Sequence, residues 1–466
     1  MSRRAEARRE EARRCAEPVR NEPQRTSARE VAFQVVRDVF GPETRAAQAA
    51  FDVRSRKAGL DARDRAFAAE LAYGSIKQRR LIDWYLAPYV GDRSKTLAPA
   101  IADVLRLGTY QVRFMTGVED HAAVSETVNL AWRHGHKGTA GLVNAVLRRM
   151  IADGPMTPEP VDFKSDDDYL GVRFSVPTWV AAQFGRAFDG RREAVLAGIN
   201  ASPQHAVRVN ALRASVVEVR AELAARNVST RDSDFVGESL LVESGTVGDD
   251  LAGRWSVQGE AATMAVDLLA PQPGESVLEF CSGRGNKSVQ LAARMRGEGV
   301  LTCIEIDPKK VRVLREMLER CDVTNAAIVQ GDARTSALEV RADAVLLDAP
   351  CSGLGILGRH PEARWRKAPE DGARLAELQA ALLRSAADRT VPGGRVLYSV
   401  CTPDPREGRN VVDAFLAADA DFARVPLPQR YAAFASGGDA LVPPGIDGRD
   451  GFYFALLRRS GGGASA

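Results

Sequence analysis

The sequence predicts a multidomain chain: an all-α N-terminal domain, then a small α+β module, then a doubly wound α/β domain. Three observations carry this. The chain has 466 residues, enough for two or three domains. From residue 26 to about 152, apolar residues recur at three and four positions, the period of helices packed on one face. From about Trp255, short and nearly continuous apolar runs alternate with helical ones, the pattern of a parallel sheet covered on both faces.

Taken in order, residues 1–25 are an arginine-rich flexible leader. Residues 1–30 hold nine Arg and six Glu, a surplus of three, with no apolar stripe, which reads as a solvated tail or an arm that samples phosphates. A helix starts after Thr26, with Ser27 as N-cap and Glu30 closing a capping box. Further helical runs follow in DRAFAAELAYGSIKQRRLIDWYL, LAPAIADVLRLGTYQVRFM, HAAVSETVNLAWRHG and GLVNAVLRRM, giving a helical domain over 26–152 with Trp84 and Trp132 expected in its core. Residues 153–169, rich in Pro and Asp, read as a linker. Over 170–250 a helix after a Pro turn, the strand HAVRVN, the helix VVEVRAELAARN and the strand SLLVES make the α+β module. Residues 251–459 carry the strands SVLEF, VLTCIEI, AAIVQ, ADAVLLD and RVLYSV with helices between them, and 460–466 are a flexible tail.

Composition narrows the function classes. Lys+Arg total 64 and Asp+Glu 61, a net charge of +3 that the first 30 residues supply in full, so a generic polycation is excluded. With 45% hydrophobic and 27% charged residues the chain is not a disordered one. No stretch approaches the roughly 20 apolar residues of a spanning helix. The start MSRRAEARREEARR lacks the apolar core of a secretion signal, so a cytoplasmic protein without membrane contact is expected. Cys15, Cys281, Cys303, Cys321, Cys351 and Cys401 form no CxxC pair, which argues against a disulfide framework and a structural metal site.

The first strand of the α/β domain runs into Glu279-Phe-Cys281-Ser282-Gly283-Arg284-Gly285-Asn286-Lys287-Ser288. Glycines at a strand-to-helix turn permit close ligand approach, and twenty residues after Gly285, Glu305 ends the second strand, where an acid accepts the hydroxyl protons of an adenosine ribose. The nucleotide could be NAD. The third position of the dinucleotide fingerprint is not met, however, and an acid opening the motif fits S-adenosylmethionine better, because that ligand carries an amino group and no pyrophosphate. Asp332 closes the third strand, placed either to meet an adenine amino group or to cap a helix.

LLDAPCSGLG and YSVCTP each end an apolar strand in a cysteine, Cys351 and Cys401, and so bring two thiols to one sheet edge. Cys303 and Cys321 read as buried filler. A thiolate is a strong carbon nucleophile, and the chemistry that needs one beside a methyl donor is methylation of a pyrimidine at C5.

Residues 258–458 resemble the RsmB/Fmu-type RNA cytosine-5 methyltransferases, through Gln258-Gly-Glu260, VLEFCSGRGNKS, Glu305 with Asp307, QGD, LDAPCSGLGILGRHPEARW, Leu378-Gln379, PGGRVLYSVCT and DGFYFALL. Upstream, ARDRAFAAELAYGSIK, LRLGTYQVRFM, DHAAVSETVNLA and GLVNAVLRRM are similar to the NusB-like RNA-binding domain of that branch. The resemblance implies a NusB-like domain ahead of the module and a Rossmann-like class I methyltransferase domain. It implies Cys401 as the nucleophile, Cys351 as an aid to product release and Asp348 as a contact to the cytosine edge. S-adenosylmethionine would be bound by Glu279, Cys281, Ser282, Gly283, Arg284, Gly285, Asn286, Lys287, Glu305, Asp307, Arg312, Asp332 and Asp348. The family commonly has CAAPGGKT where this chain has CSGRGNKS, YSTCS where it has YSVCT, and Glu-Glu-Asn where it has Arg406-Glu407-Gly408.

For RNA, Arg359, His360, Arg364, Arg366 and Lys367 surround Trp365 in one loop, a combination suited to phosphate contact and base stacking. Arg148 and Arg149 end a helix of the N-terminal domain, where they also complement its dipole. A monomer acting on small-subunit ribosomal RNA, without a metal, is expected. The rivals are a DNA cytosine-5 methyltransferase with Cys351 as nucleophile and a non-catalytic RNA-binding assembly factor.

Overall fold

The computed structural model describes residues 26–461 apart from 43, 93–95 and 336–338. The leader 1–25 with Cys15, and residues 462–466 of the tail, lie outside the described residues. The chain divides into two compact units, one running to Ile76 and resuming over Leu86–Pro155, the other comprising Lys77–Tyr85 and the residues from Met156.

The first unit is helical, built from α1 (Ala28–Phe40), α2 (Ala47–Ala58), α3 (Ala62–Lys77), α4 (Arg79–Val90), α5 (Pro99–Phe114), α6 (Asp120–His134) and α7 (Lys137–Asp153), of which Lys77–Tyr85 group with the second unit. Ser27 caps α1 by accepting the Glu30 N–H at 3.2 Å. The expected capping box is only half present, because the Glu30 carboxylate instead receives Gln34 Nε2 at 3.0 Å and faces His134 Nε2 at 3.1 Å. Val31, Val35, Leu71, Leu107 and Leu147 are fully shielded in its core. Trp132 departs from expectation: it is 51% exposed on α6.

The second unit opens with α8 (Asp166–Arg173), α9 (Thr178–Ala187) and α10 (Arg192–Gly198), whose Val180, Phe184 and Leu196 pack with Leu354 and Leu357 from the loop after Cys351. The α+β module follows: β1 (Ala206–Val209), α11 (Val216–Ala225), β2 (Ser229–Asp232), β3 (Ser239–Ser244) and β4 (Trp255–Val257), an antiparallel sheet ordered β2-β3-β1-β4. A reciprocal Ser215–Glu218 box starts α11, and Val207, Val219, Leu223, Leu240 and Trp255 fill its small core.

The α/β domain then runs α12 (Glu260–Leu269), β5 (Ser276–Phe280), α13 (Asn286–Arg294), β6 (Val300–Glu305), α14 (Pro308–Arg320), β7 (Ala326–Gln330), β8 (Ala342–Asp348), α15 (Asp371–Asp388), β9 (Thr390–Val400), α16 (Arg409–Ala418), β10 (Phe422–Arg424), β11 (Ala435–Ser436), β12 (Asp439–Val442) and β13 (Phe452–Arg459). Period-two alternation decides the packing: Ala344, Leu346 and Leu397 face α12 and α13, whereas Val345, Leu347, Val396 and Tyr398 face α15 and α16. Both faces are buried, as the continuous apolar strands require. The sheet is ordered β11-β12-β13-β9-β8-β5-β6-β7. It is parallel from β9 to β7 but antiparallel at β13 and β12, so the all-parallel expectation is corrected to a mixed sheet.

Among the described residues no helix is long and apolar enough to cross a membrane. Among the same residues no group of three or more His, Cys, Asp or Glu side chains is placed to hold a metal ion.

Candidate active site

Strands β5 to β9 all end at one edge of the sheet, where ligands of open α/β folds bind. A cavity of about 820 Å³ opens there, lined among others by Cys281, Gly283, Glu305, Asp332, Asp348, Cys351 and Cys401. The turn after β5 is built by left-handed backbone at Cys281 (φ 58°), Gly283 (φ 61°) and Gly285 (φ 93°). For Cys281 that conformation is uncommon and marks a constrained position. A side chain at Gly285 would meet Leu314 Cδ1 at 2.7 Å, so the glycine lets α13 and α14 approach.

On one wall Glu305, buried at the end of β6, accepts the Gly283 N–H at 2.8 Å through Oε2 and the Asp307 N–H at 2.9 Å through Oε1. Those bonds fix the carboxylate at the cavity edge. Asp332, after β7, is gripped by Arg334 at 2.6 Å, which holds its carboxyl below the ordinary range.

On the opposite wall the two thiols meet. Asp348 and Ser399 are paired across β8 and β9, and just beyond them Cys351 Sγ lies 3.1 Å from Cys401 Sγ. Asp348 receives Lys287 Nζ at 2.6 Å and Ser399 Oγ at 2.6 Å. Burial would lower the Lys287 ammonium, but the charge and hydrogen bond of Asp348, with further help from Cys401 and Glu279, hold it above its usual value. The hydrogen bond with Cys401 and burial push the Cys351 thiol well up, assisted by the charges of Glu407 and Asp348. Burial also raises Cys281, to about 12, so it is a neutral thiol. Cys303 and Cys321 are buried in the sheet and helix core.

The structure therefore brings Cys401, Cys351, Asp348 and Lys287 together, with Cys281, Gly283, Glu305 and Asp332 across the same cavity. Other expected residues stand elsewhere. Glu279 does not line the cavity: it is turned into the core, donated to by Ser288 Oγ at 2.5 Å, and burial raises its pKa to about 7. Ser282 is buried, Arg284 is exposed, and Asn286 is half-buried with Oδ1 unpartnered. Asp307 caps α14 by accepting the Lys309 N–H at 2.8 Å, and Arg312 lies 79% exposed near Glu316, so neither reaches the cavity.

The RNA assignments need larger corrections. Arg364 is wholly buried, donating to Ser175 O, Leu357 O and Asn200 Oδ1 at 3.0, 3.2 and 2.9 Å, and burial lowers its pKa to about 9. It braces the loop after Cys351 from within. Arg359 is spent on Asp450, at 2.8 Å, and on Gln204 O. Trp365 is half-buried outside the cavity lining. Arg148 bonds Asn144 and Arg149 stands 3.7 Å from Asp153, both exposed on α7. The basic residues that do line the cavity are Lys310, Arg334, His360, Arg366 and Lys367. Three of them, His360, Arg366 and Lys367, belong to the basic loop around Trp365 that the sequence singled out for RNA.

The chain matches the model of the 16S rRNA methyltransferase RsmB/F family over residues 266–458, that of the NusB family over 26–152, and that of an RsmF/B-like ferredoxin-like domain over 176–247. It is 36% identical over 413 residues, 89% of this chain and 93% of the relative, to the ribosomal RNA small subunit methyltransferase B of Thermus thermophilus. To the probable ribosomal RNA small subunit methyltransferase B of Bacillus subtilis it is 30% identical over 414 residues, 86% of this chain and 92% of the relative. Among solved structures, that of PH0851 superposes with a TM-score of 0.78 at 26% identity, covering 93% of this chain and 98% of the other. NSun6 from Pyrococcus horikoshii, solved with SFG, shares the fold at a TM-score of 0.54 and 18% identity, covering 61% and 98%.

Proposed function

Because the chain belongs to the RsmB/F family of 16S rRNA methyltransferases, we propose that it methylates C5 of a cytosine in small-subunit ribosomal RNA, with Cys401 as nucleophile and Cys351 aiding release. The observation that carries this reading is the pair of free thiols, 3.1 Å apart beside an Asp348 held by Lys287 and Ser399. In this reading residues 26–152 present the RNA, 170–250 form the intervening module and 251–459 carry the chemistry.

The methyl donor, S-adenosylmethionine, supplies an electrophilic methyl group. Its fit rests on Glu305, poised for ribose hydroxyls, on Asp332 for the adenine, and on an open approach at Gly283, where a Cβ would find only Cys281 O, at 3.8 Å. C5 of cytosine is too electron-poor to take a methyl group unaided. The Cys401 thiolate adds to C6, opening the C5–C6 double bond and passing its electrons to C5. Asp348 would accept a hydrogen bond from the cytosine edge, and the Lys287 ammonium that it holds at 2.6 Å offsets the negative charge that develops on the ring. Once C5 is methylated, its proton passes to a solvent base, the C5–H electron pair re-forms the C5–C6 double bond and Cys401 leaves as a thiolate, while the neutral Cys351 thiol, 3.1 Å away, donates a hydrogen bond to the departing sulfur.

Replacing each cysteine tests the assignment. Cys401→Ala is expected to abolish methyl transfer, while Cys351→Ala leaves an RNA adduct on Cys401 that survives a denaturing gel. Full activity in Cys401→Ala with a dead Cys351→Ala would instead support the DNA-type mechanism, and the absence of both methyl transfer and S-adenosylmethionine binding in the unaltered protein would support an assembly factor.

A further inference from the structure

The buried polar groups around Cys351 carry one more assignment, resting on the reading of Cys351 as the release residue. Glu407 sits on the turn before α16, fully shielded and outside the cavity lining. Its Oε2 accepts the Ser352 N–H at 2.8 Å and Gln379 Nε2 at 3.1 Å. The same Gln379 nitrogen, from α15, donates to Pro350 O at 2.9 Å. The peptide groups on both sides of Cys351 are thus gripped from beneath by one carboxylate and one amide. Ser352 Oγ bonds Thr402 Oγ1 at 3.0 Å, and Gly355 N bonds Cys401 O at 2.9 Å, so the Cys351 loop is also tied to the residues of Cys401. Tyr398 Oη donates to Glu407 O at 2.5 Å and fixes the turn that presents the carboxylate. Burial raises Glu407 above the ordinary carboxyl range, and its charge in turn raises Cys351.

A buried carboxyl with so few partners is costly unless its position serves something. We infer that Glu407, acting with Gln379, is a positioning residue that sets the Cys351 thiol for the release step and has no part in cofactor binding or in the attack by Cys401. Losing the clamp leaves Cys401 in place at the end of β9 but lets the Cys351 loop drift, and a displacement of about 1 Å at a reacting group costs up to roughly 100-fold in rate.

The experiment compares Glu407→Ala and Gln379→Ala with Cys351→Ala in the full chain, on a small-subunit rRNA substrate with S-adenosylmethionine. Both clamp variants are expected to bind S-adenosylmethionine within about twofold of the unaltered protein by calorimetry, and to transfer one methyl group per enzyme. They should then stall, with multiple turnover down roughly 10- to 100-fold and a slower-migrating protein–RNA species on a denaturing gel. A residue with only a structural role would lower the melting temperature and slow every step without raising the adduct. If Glu407→Ala fails to fold, Gln379→Ala decides. Adduct in Cys351→Ala but in neither clamp variant overturns the positioning role alone; no adduct in Cys351→Ala overturns the two-thiol reading and this inference with it.

Discussion

Burial lets Glu279 keep its proton to about pH 7 in the folded chain, where an exposed glutamic acid releases it near 4.5. The folded state therefore binds this proton more tightly than the unfolded one. The stabilisation is complete below pH 4.5 and is lost as pH rises to about 7, a change of about 3 kcal/mol for a group wholly removed from solvent. Glu279→Gln keeps an oxygen for Ser288 and removes the titration, so its melting temperature relative to the unaltered chain should climb between pH 5 and pH 8; a pH-independent difference would refute the buried, protonated state. Sequence placed Glu279 in the binding site because an acid opens the glycine motif, yet its side chain follows Val277 to the α12–α13 face instead of the sheet edge. Cys351 and Cys401 were legible because both lie within three residues of the end of an apolar strand, where packing has no use for a thiol. Arg364 was not, since a loop cation and a buried brace of four carbonyl oxygens have the same letter, and only tertiary neighbours such as Ser175 and Asn200 distinguish them.

The 3-10 turn Leu354–Ile356 shows how elements set the site. A Cβ on Gly355 would stand 2.0 Å from Gly451 O and 2.9 Å from Cys401 O, both backbone atoms with nowhere to go. Gly355→Ala should therefore prise the Cys351 loop from Cys401 and the start of β13, costing at least roughly 1–3 kcal/mol and nearly all turnover. Gly358→Ala, whose new carbon would meet nothing closer than Ile199 O at 3.6 Å, should melt within about 0.5 kcal/mol of the original. Equal losses in the two, by thermal melting and methyl-transfer assay, would contradict this packing. Gly408, where the family commonly has Asn, has a similar cause: a Cβ there would press on the Tyr453 ring at 3.0 Å. The parallel strands could be read from sequence because unbroken apolar runs are required when both faces are covered. The antiparallel strand DGFYFALL has the same apolar character, and its direction depends on pairing with β9 across some fifty residues of intervening chain, which no local pattern encodes.

At the scale of the whole molecule, the segment Lys77–Tyr85 groups with the methyltransferase unit although its sequence lies among the helices of the first. Arg80 there donates to Val176 O at 2.6 Å, Asp168 at 2.5 Å and Thr178 at 2.9 Å, and Lys77 O accepts from Arg364 at 3.3 Å. Arg80→Ala in the full chain should lower the stability of the second unit by about 1–3 kcal/mol, read as a shift of its calorimetric transition. An unmoved transition would show that the segment contributes nothing. The charge of +3 resides in residues 1–30, so deleting residues 1–25, outside the described structure, should weaken RNA binding and make what remains less sensitive to salt while sparing turnover at saturating RNA. Lastly, β13 is bonded on one side to β9 and on the other to β12. While the chain is being made, β9, which leads directly into Cys401, stays an open edge of unpaired amides and carbonyls until residues 452–459 have emerged from the ribosome. A member of a ribosomal RNA methyltransferase family thus passes an aggregation-prone moment while still attached to a ribosome, with the strand that leads into Cys401 waiting to be closed.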